Sequence, residues 1–146
     1  MRATRRPLRS EPGLAARRLA LLTLFEDEFR PGSATGALER LGDERDLPPE
    51  VREHAARIVA GVTERRAELD ARIASEAPAI PVAELGRVER AILRSAIFEL
   101  LYSAEIPRGE AIRDAVALAR IYAGDAARRL VNGVLGSVSR ASGGGA

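Results

Sequence analysis

The sequence is 146 residues long, 46% hydrophobic and 30% charged, which fits one ordinary domain able to bury about 70% of its unfolded surface. It has no cysteine and one histidine, His54, which excludes disulfides, thiol catalysis, Fe–S clusters, thiolate zinc and multi-histidine metal sites. No apolar run approaches the roughly 20 residues that span a bilayer, and no apolar stretch follows the N-terminal charges as in a secretory signal, so cytoplasm is the expected location.

All 23 basic residues are arginine. Residues 1–18 hold six of them (Arg2, Arg5, Arg6, Arg9, Arg17 and Arg18) against the single acid Glu11, whereas the remaining 128 residues hold 17 arginines and 20 acids. A basic arm therefore precedes a body that is close to neutral and slightly acidic. The expected organisation is a mobile arginine-rich arm over 1–12, one helical domain over 13–139 and a flexible glycine-rich tail over 140–146.

No segment shows the period-two, β-branched pattern of a strand, and helical spacing runs throughout. Ser10-Glu11-Pro12 reads as a helix start. The helix it opens carries Leu14, Leu21, Leu24, Phe25 and Phe29 on its apolar side and stops at Pro31-Gly32. Ser33 is placed to cap a short second helix through Leu38 and Leu41. Pro48-Pro49 opens a long third helix whose stripe runs Val51, Ala55, Ile58, Val59, Val62, Leu69 and Ile73, ended by Pro78 and Pro81. A segment around Val82 and Leu85 follows. Between Ala91 and Leu101 eight of eleven positions are apolar, and a helix apolar nearly all round is the buried centre of its domain. Ile106-Pro107 breaks it. A helix with Ile112, Ala115, Val116 and Ala119 inward ends at Gly124. Asp125 is placed to cap the last helix, which turns Leu130, Val131, Val134, Leu135 and Val138 inward.

Little in this pattern calls for catalysis. His54 lies off the apolar stripe and reads as a surface histidine, with no nucleophile–acid arrangement implied beside it. The carboxylates alternate with arginines at helical spacings, as on solvated ion-pair faces, and no phosphate loop, dinucleotide fingerprint or metal spacing is present. The chain is not expected to be an enzyme or to need a cofactor. Arg94 and Glu99 sit inside the most apolar helix, where an isolated charge is expensive, so each is expected to have its own charged or main-chain partner. Asn132-Gly133 interrupts the last helix. Close packing is the expected reason for Gly133, and a buried hydrogen bond for Asn132. Arginines at a helix start gain nothing from the helix dipole, whereas phosphates would benefit there.

The ordered set Leu93-Arg94, Phe98-Glu99-Leu100-Leu101, Ile106-Pro107, Ala111-Ile112, Asp114-Ala115-Val116 and Val131-Asn132-Gly133-Val134-Leu135 resembles the NusB family of bacterial transcription antitermination factors. The opening helix from Ala16-Arg17 to Leu24-Phe25 does so too, and the resemblance covers about residues 14–138. It implies an all-α fold of about seven helices in two roughly perpendicular three-helix bundles. It also implies a non-enzymatic protein that binds boxA-type single-stranded RNA together with NusE, the ribosomal protein S-ten in its second role. Such a protein supports transcription of ribosomal RNA operons within the elongation complex. Some family members are homodimers and others monomers.

Residue by residue, the resemblance places RNA binding on Arg5, Arg6, Arg9, Arg17, Arg18, Phe25, Arg128 and Arg129. It places the NusE face on the acids Glu84, Glu89 and Glu105. The family carries further arginines directly before Arg17, where this chain has Pro12-Gly13-Leu14-Ala15. It also carries an aromatic where this chain has Leu130. Two other classes share parts of the pattern: a NusB-like RNA-binding domain of rRNA cytosine methyltransferases, and a helix-turn-helix DNA-binding regulator. The first is disfavoured because no catalytic cysteine or methyl-donor domain follows Ser139. The second needs an exposed polar recognition helix, whereas these helices are apolar on a wide face.

Overall fold

The computed structural model describes residues 10–142. Arg5, Arg6 and Arg9 lie outside the described residues, as does the glycine tail. Among the described residues there are seven α-helices, one short 3₁₀ turn and no strand: α1 Ser10–Phe29, α2 Ala34–Glu44, α3 Pro49–Glu64, α4 Arg66–Glu76, a turn at Val82–Glu84, α5 Arg87–Tyr102, α6 Arg108–Ala123 and α7 Asp125–Ala141. The fold is all-α. α1, α2 and α3 pack on one another, α5, α6 and α7 form a second group, and α1 and α3 both rest on α5. α4 lies against α5 and α7.

The chain punctuation works as its chemistry dictates. α1 ends where Gly32 takes a φ of 93°, and Pro48 and Pro107 stand at the N-caps of α3 and α6, where a missing N–H costs nothing. Gly124, at φ 98°, turns the chain from α6 into α7. α5 is the centre: Ala91 to Ile97 is buried without interruption, and α5 touches α1, α3, α4, α6 and α7. Leu19, Ile58, Leu69, Ile73, Leu93, Ile97 and Leu135 are the large side chains sealed in this core.

Several sequence expectations need correction. The long third helix is two helices, broken at Arg65, whose φ of −113° leaves the helical range. Its stripe has a gap of seven between Val62 and Leu69, and a straight helix would carry Arg65 and Arg66 onto the buried face. Neither Ser33 nor Asp125 caps its helix. Asp27 Oδ1 instead accepts the N–H groups of Gly32 and Ser33, both at 3.0 Å. Asp125 is the first residue of α7 and turns its carboxylate to arginines one turn on. Phe29 is 55% exposed. It meets Phe25 edge-on with ring centres 5.1 Å apart, and the Arg87 guanidinium lies 4.6 Å from its ring centre.

Asn132 and Gly133 are both exposed, and a methyl group at Gly133 would meet open space. The close approach occurs at Gly61 instead, on the face of α3 that meets α5. There a methyl group would overlap the Phe98 ring. Gly61→Ala is therefore expected to cost about 1–3 kcal/mol through overpacking. Gly133→Ala is expected to gain about 0.5–1 kcal/mol from helix propensity alone. Urea-denaturation midpoints of the two variants check both signs.

Candidate nucleic-acid interface

Arg17 organises the interior of the protein. It projects from the second turn of α1, is 5% exposed, and spreads its guanidinium over three carboxylates. Nε donates to Glu99 Oε1 at 2.7 Å and Nη2 to Glu99 Oε2 at 3.2 Å, a bidentate fork. Nη1 donates to Asp114 Oδ2 at 2.7 Å and to Glu110 Oε2 at 3.1 Å. Gly13, one turn earlier, leaves room for this side chain, because a methyl group there would overlap Nη1. The resemblance places Arg17 on the RNA side. In the structure its hydrogen-bonding capacity is committed inward, and its burial removes it from the surface.

His54 on α3 completes the cluster. Its Nε2 lies 2.7 Å from Glu99 Oε2, and since an ionised carboxylate only accepts, that nitrogen carries the proton. His54 is thus no surface histidine but a half-buried partner of a core carboxylate. Its neighbours Val51, Ala55 and Ile58 mark the buried stripe; His54 sits at the stripe's edge, where an imidazole reaches α5.

The cluster's protonation follows from competing effects. Burial penalises the Glu99 charge, but hydrogen bonds from His54 and Arg17 and the Arg17 charge outweigh it, and its pKa lies below the ordinary glutamate value. Burial raises the Asp114 pKa, and Arg17 only partly offsets it. Burial also opposes the charge on Arg17, yet its three acids leave its pKa raised.

Arg94 and Glu99, the two charges expected to find separate partners, do so. Arg94 Nε and Nη2 grip Asp70 of α4 at 2.7 and 2.9 Å, and Nη1 lies 3.5 Å from Glu28 of α1. The partners are side chains of neighbouring helices rather than helix ends.

The other expected RNA-side residues are nearer the surface. Arg18, Leu22, Phe25 and Phe29 follow one another along a partly exposed face of α1. No described carboxylate bonds to Arg18, and its Nε is buried without an acceptor among the described residues. Arg128 and Arg129 stand in the first turns of α7 and share one acid. Arg128 Nε donates to Asp125 Oδ1 at 2.7 Å, and Arg129 Nη1 donates to Asp125 Oδ2. The hydrogen bond from Arg128 lowers the Asp125 pKa, so the pair presents one net positive charge rather than two. Among the acids expected to face a protein partner, Glu84 and Glu105 are exposed and Glu89 half-buried. Glu84 and Glu89 flank the start of α5, whereas Glu105 lies beyond its other end. α5 has 16 residues, about 24 Å, so the three acids do not form one compact patch.

Sequence reasoning missed two residues beside Arg18. A cleft of about 390 Å³ is lined by Ala15, Arg18 and Leu19 of α1, Arg45 and Leu47 of the α2–α3 loop, and Tyr122 at the end of α6. A lone arginine in a loop and a helix-terminal tyrosine carry no motif, and only the fold brings them together.

The fold agrees with the comparisons. The NusB family model matches residues 14–140. The transcription antitermination protein NusB of Dehalococcoides mccartyi is 36% identical over 126 residues, spanning 86% of this chain and 88% of its own. That of Roseiflexus castenholzii is 40% identical over 124 residues, spanning 84% and 87%. A solved complex of the antitermination factors NusB and NusE with double-stranded RNA contains a chain that superposes with a TM-score of 0.81 at 27% identity, covering 89% of this chain and 97% of that one. An all-α protein built round a buried arginine–carboxylate cluster, matched along nearly its whole described length, has one family assignment. The chain belongs to the NusB family.

Removing one member of a buried ion cluster strands the others, at about 3–5 kcal/mol. Arg17→Gln and Glu99→Gln are expected to fall near that range and Asp114→Asn well below it, because the Asp114 charge is already disfavoured by its burial. The pH dependence has opposite signs at the two acids. The stability from Glu99 is complete above the ordinary glutamate pKa and disappears as pH falls through its lowered folded value. The contribution of Asp114 is complete below the ordinary aspartate pKa and is lost as pH rises through its raised folded value. Denaturation of Glu99→Gln at acid pH, from the ordinary glutamate pKa of 4.5 downward, is expected to show a flatter loss of stability than the parent protein.

Proposed function

We propose that this protein is a transcription antitermination factor that binds boxA-type RNA together with NusE and carries both into the transcription elongation complex. The observation that carries this reading is its likeness, over nearly a whole chain, to a NusB solved with NusE and RNA. The charge distribution supports it. Six of the 23 arginines fall in residues 1–18, and Arg18 has no carboxylate partner among the described residues, as phosphate contacts require.

The proposed role is binding rather than catalysis. Arg17, Glu99, Asp114 and His54 form a buried titratable group whose members satisfy one another, which leaves no open position for a substrate there. The described helices include none long and apolar enough to cross a membrane, which supports a cytoplasmic site of action beside nascent RNA.

In this proposal RNA contacts come from Arg5, Arg6 and Arg9 of the arm, Arg18 and Phe25 of α1, and Arg128 and Arg129 of α7. NusE meets the acids around the start of α5, Glu84 and Glu89, with Glu105 outside that patch. The slightly acidic body suits a basic ribosomal protein, though so small a charge steers association only weakly.

Titrating a boxA-type RNA with and without saturating NusE tests the adaptor role. RNA and NusE are expected to tighten each other's binding by one common factor, as linkage requires. A factor of one, with RNA bound equally well alone, overturns it. Replacing Arg5, Arg6 and Arg9 together by alanine is expected to weaken binding and to reduce its salt slope by about 0.7 for each phosphate no longer neutralised.

A further inference from the structure

Three clefts among the described residues differ in the chemistry of their linings. One of about 620 Å³ is lined by Asp27, Glu28, Asp70, Arg66, Arg90 and Arg94 among others. Its acids and arginines are equal in number and largely paired, so it offers an anion no net attraction. A second, of about 660 Å³ between α2 and α3, is lined chiefly by small and apolar side chains, with acids at its rim. The third, the cleft of about 390 Å³ at Arg18, Arg45 and Tyr122, contains two arginines and no acid.

We propose that this third cleft takes one nucleotide of the bound RNA, its phosphate between Arg18 and Arg45 and its base against Tyr122. The proposal rests on the RNA-binding reading and adds two residues to it, Arg45 and Tyr122. Four observations carry it. Arg18 Nε is a buried cationic donor with no acceptor among the described residues, so its guanidinium is not committed to another described group. Arg45, on the α2–α3 loop that lines the same cleft, bonds no described carboxylate. It precedes Asp46, whose φ of 51° fixes the turn that presents the loop.

Tyr122 is 38% exposed beside Ile121 at 60%. Among the described residues its ring takes part in no aromatic or cation–π pair, unlike Tyr102, which stacks on Phe98 beneath Arg65. An unpartnered ring beside unpartnered guanidiniums is the combination that binds single-stranded nucleic acid: charge for the backbone, a π-face for the base. The volume lies in the range of small-ligand pockets. The cleft also has the right neighbours. Arg18 is nine residues beyond Arg9 of the arm, and Tyr122 precedes Gly124, from which α7 carries Arg128 and Arg129.

The test uses the full-length protein and a fluorescein-labelled single-stranded boxA-type RNA, with affinity followed by polarisation over a salt series. NusE binding is measured in parallel without RNA. Arg45 and Tyr122 are surface residues, so Arg45→Ala, Tyr122→Ala and Tyr122→Phe are expected to keep the parental melting temperature. Tyr122→Ala is expected to weaken RNA binding about 10-fold, within the range for removal of one base–aromatic stack, and Tyr122→Phe to bind like the parent. Arg45→Ala is expected to reduce the salt slope by about 0.7.

Parental affinity and slope in Tyr122→Ala and Arg45→Ala, with binding still lost in the arm triple variant, overturn the cleft and leave the RNA reading standing. Absence of RNA binding by the parent protein, with NusE present, overturns both. If Tyr122→Ala instead weakens NusE binding in the absence of RNA, the cleft belongs to the protein partner and the proposal falls.

Discussion

The buried guanidinium of Arg17 is the constraint round which the protein is arranged. A charge sealed inside a helical body is tolerated only when geometry supplies partners of opposite sign. Here they come from Glu99 on α5 and from Asp114 and Glu110 on α6, with His54 of α3 also bonded to Glu99. One side chain of α1 thereby ties two other helices directly and, through Glu99, a third. An apolar contact between these helices could slide by a turn, whereas a bidentate fork and two further hydrogen bonds hold one register. That register sets where α1 begins relative to α6 and α7, and so where Arg18 lies relative to Tyr122.

The same logic sorts the arginines of the body. Arg90 and Arg94 are bound to Glu28 and Asp70 and join α5 to α1 and α4; Arg40 is bound to Glu26 and Arg52 to Asp43. These pairs consume charge that would otherwise attract nucleic acid everywhere. Positive charge is left where pairing is incomplete: Arg128 and Arg129 share one acid, and Arg18 and Arg45 join Arg30, Arg57, Arg66, Arg108, Arg120 and Arg140 in bonding no described carboxylate. In a chain whose basic residues are all arginine, the surface that binds phosphate is defined as much by where the acids are missing as by where the arginines are.

The backbone plan was legible because helix boundaries rest on local chemistry: Pro31-Gly32, Pro48-Pro49, Ile106-Pro107 and Gly124 each end or begin a helix where they stand in the sequence. The central place of α5 was legible from its unbroken apolar run. The break at Arg65 was harder, since no proline or glycine marks it; its only trace is a polar turn between Val62 and Leu69, where a straight helix needs an apolar one. Charge partners across 82 and 45 positions of sequence, Arg17 with Glu99 and His54 with Glu99, leave no local trace. Arg17 therefore resembled its half-buried neighbour Arg18, and His54 a solvated histidine. Gly133 misled in the opposite sense, because a glycine in a helix signals close approach only if the fold brings something near it, and Gly61 is the glycine where that happens. Arg45 and Tyr122 were invisible as a pair for the same reason.

Arg17 holds the body together, and its neighbours are proposed to hold RNA. The salt dependence of RNA binding by Arg17→Gln, measured well below that variant's own melting temperature, tests this most directly. A lowered melting temperature with the parental salt slope is expected. A slope smaller by about 0.7, the signature of one single-strand phosphate left without its cation, would place Arg17 on the RNA and contradict it.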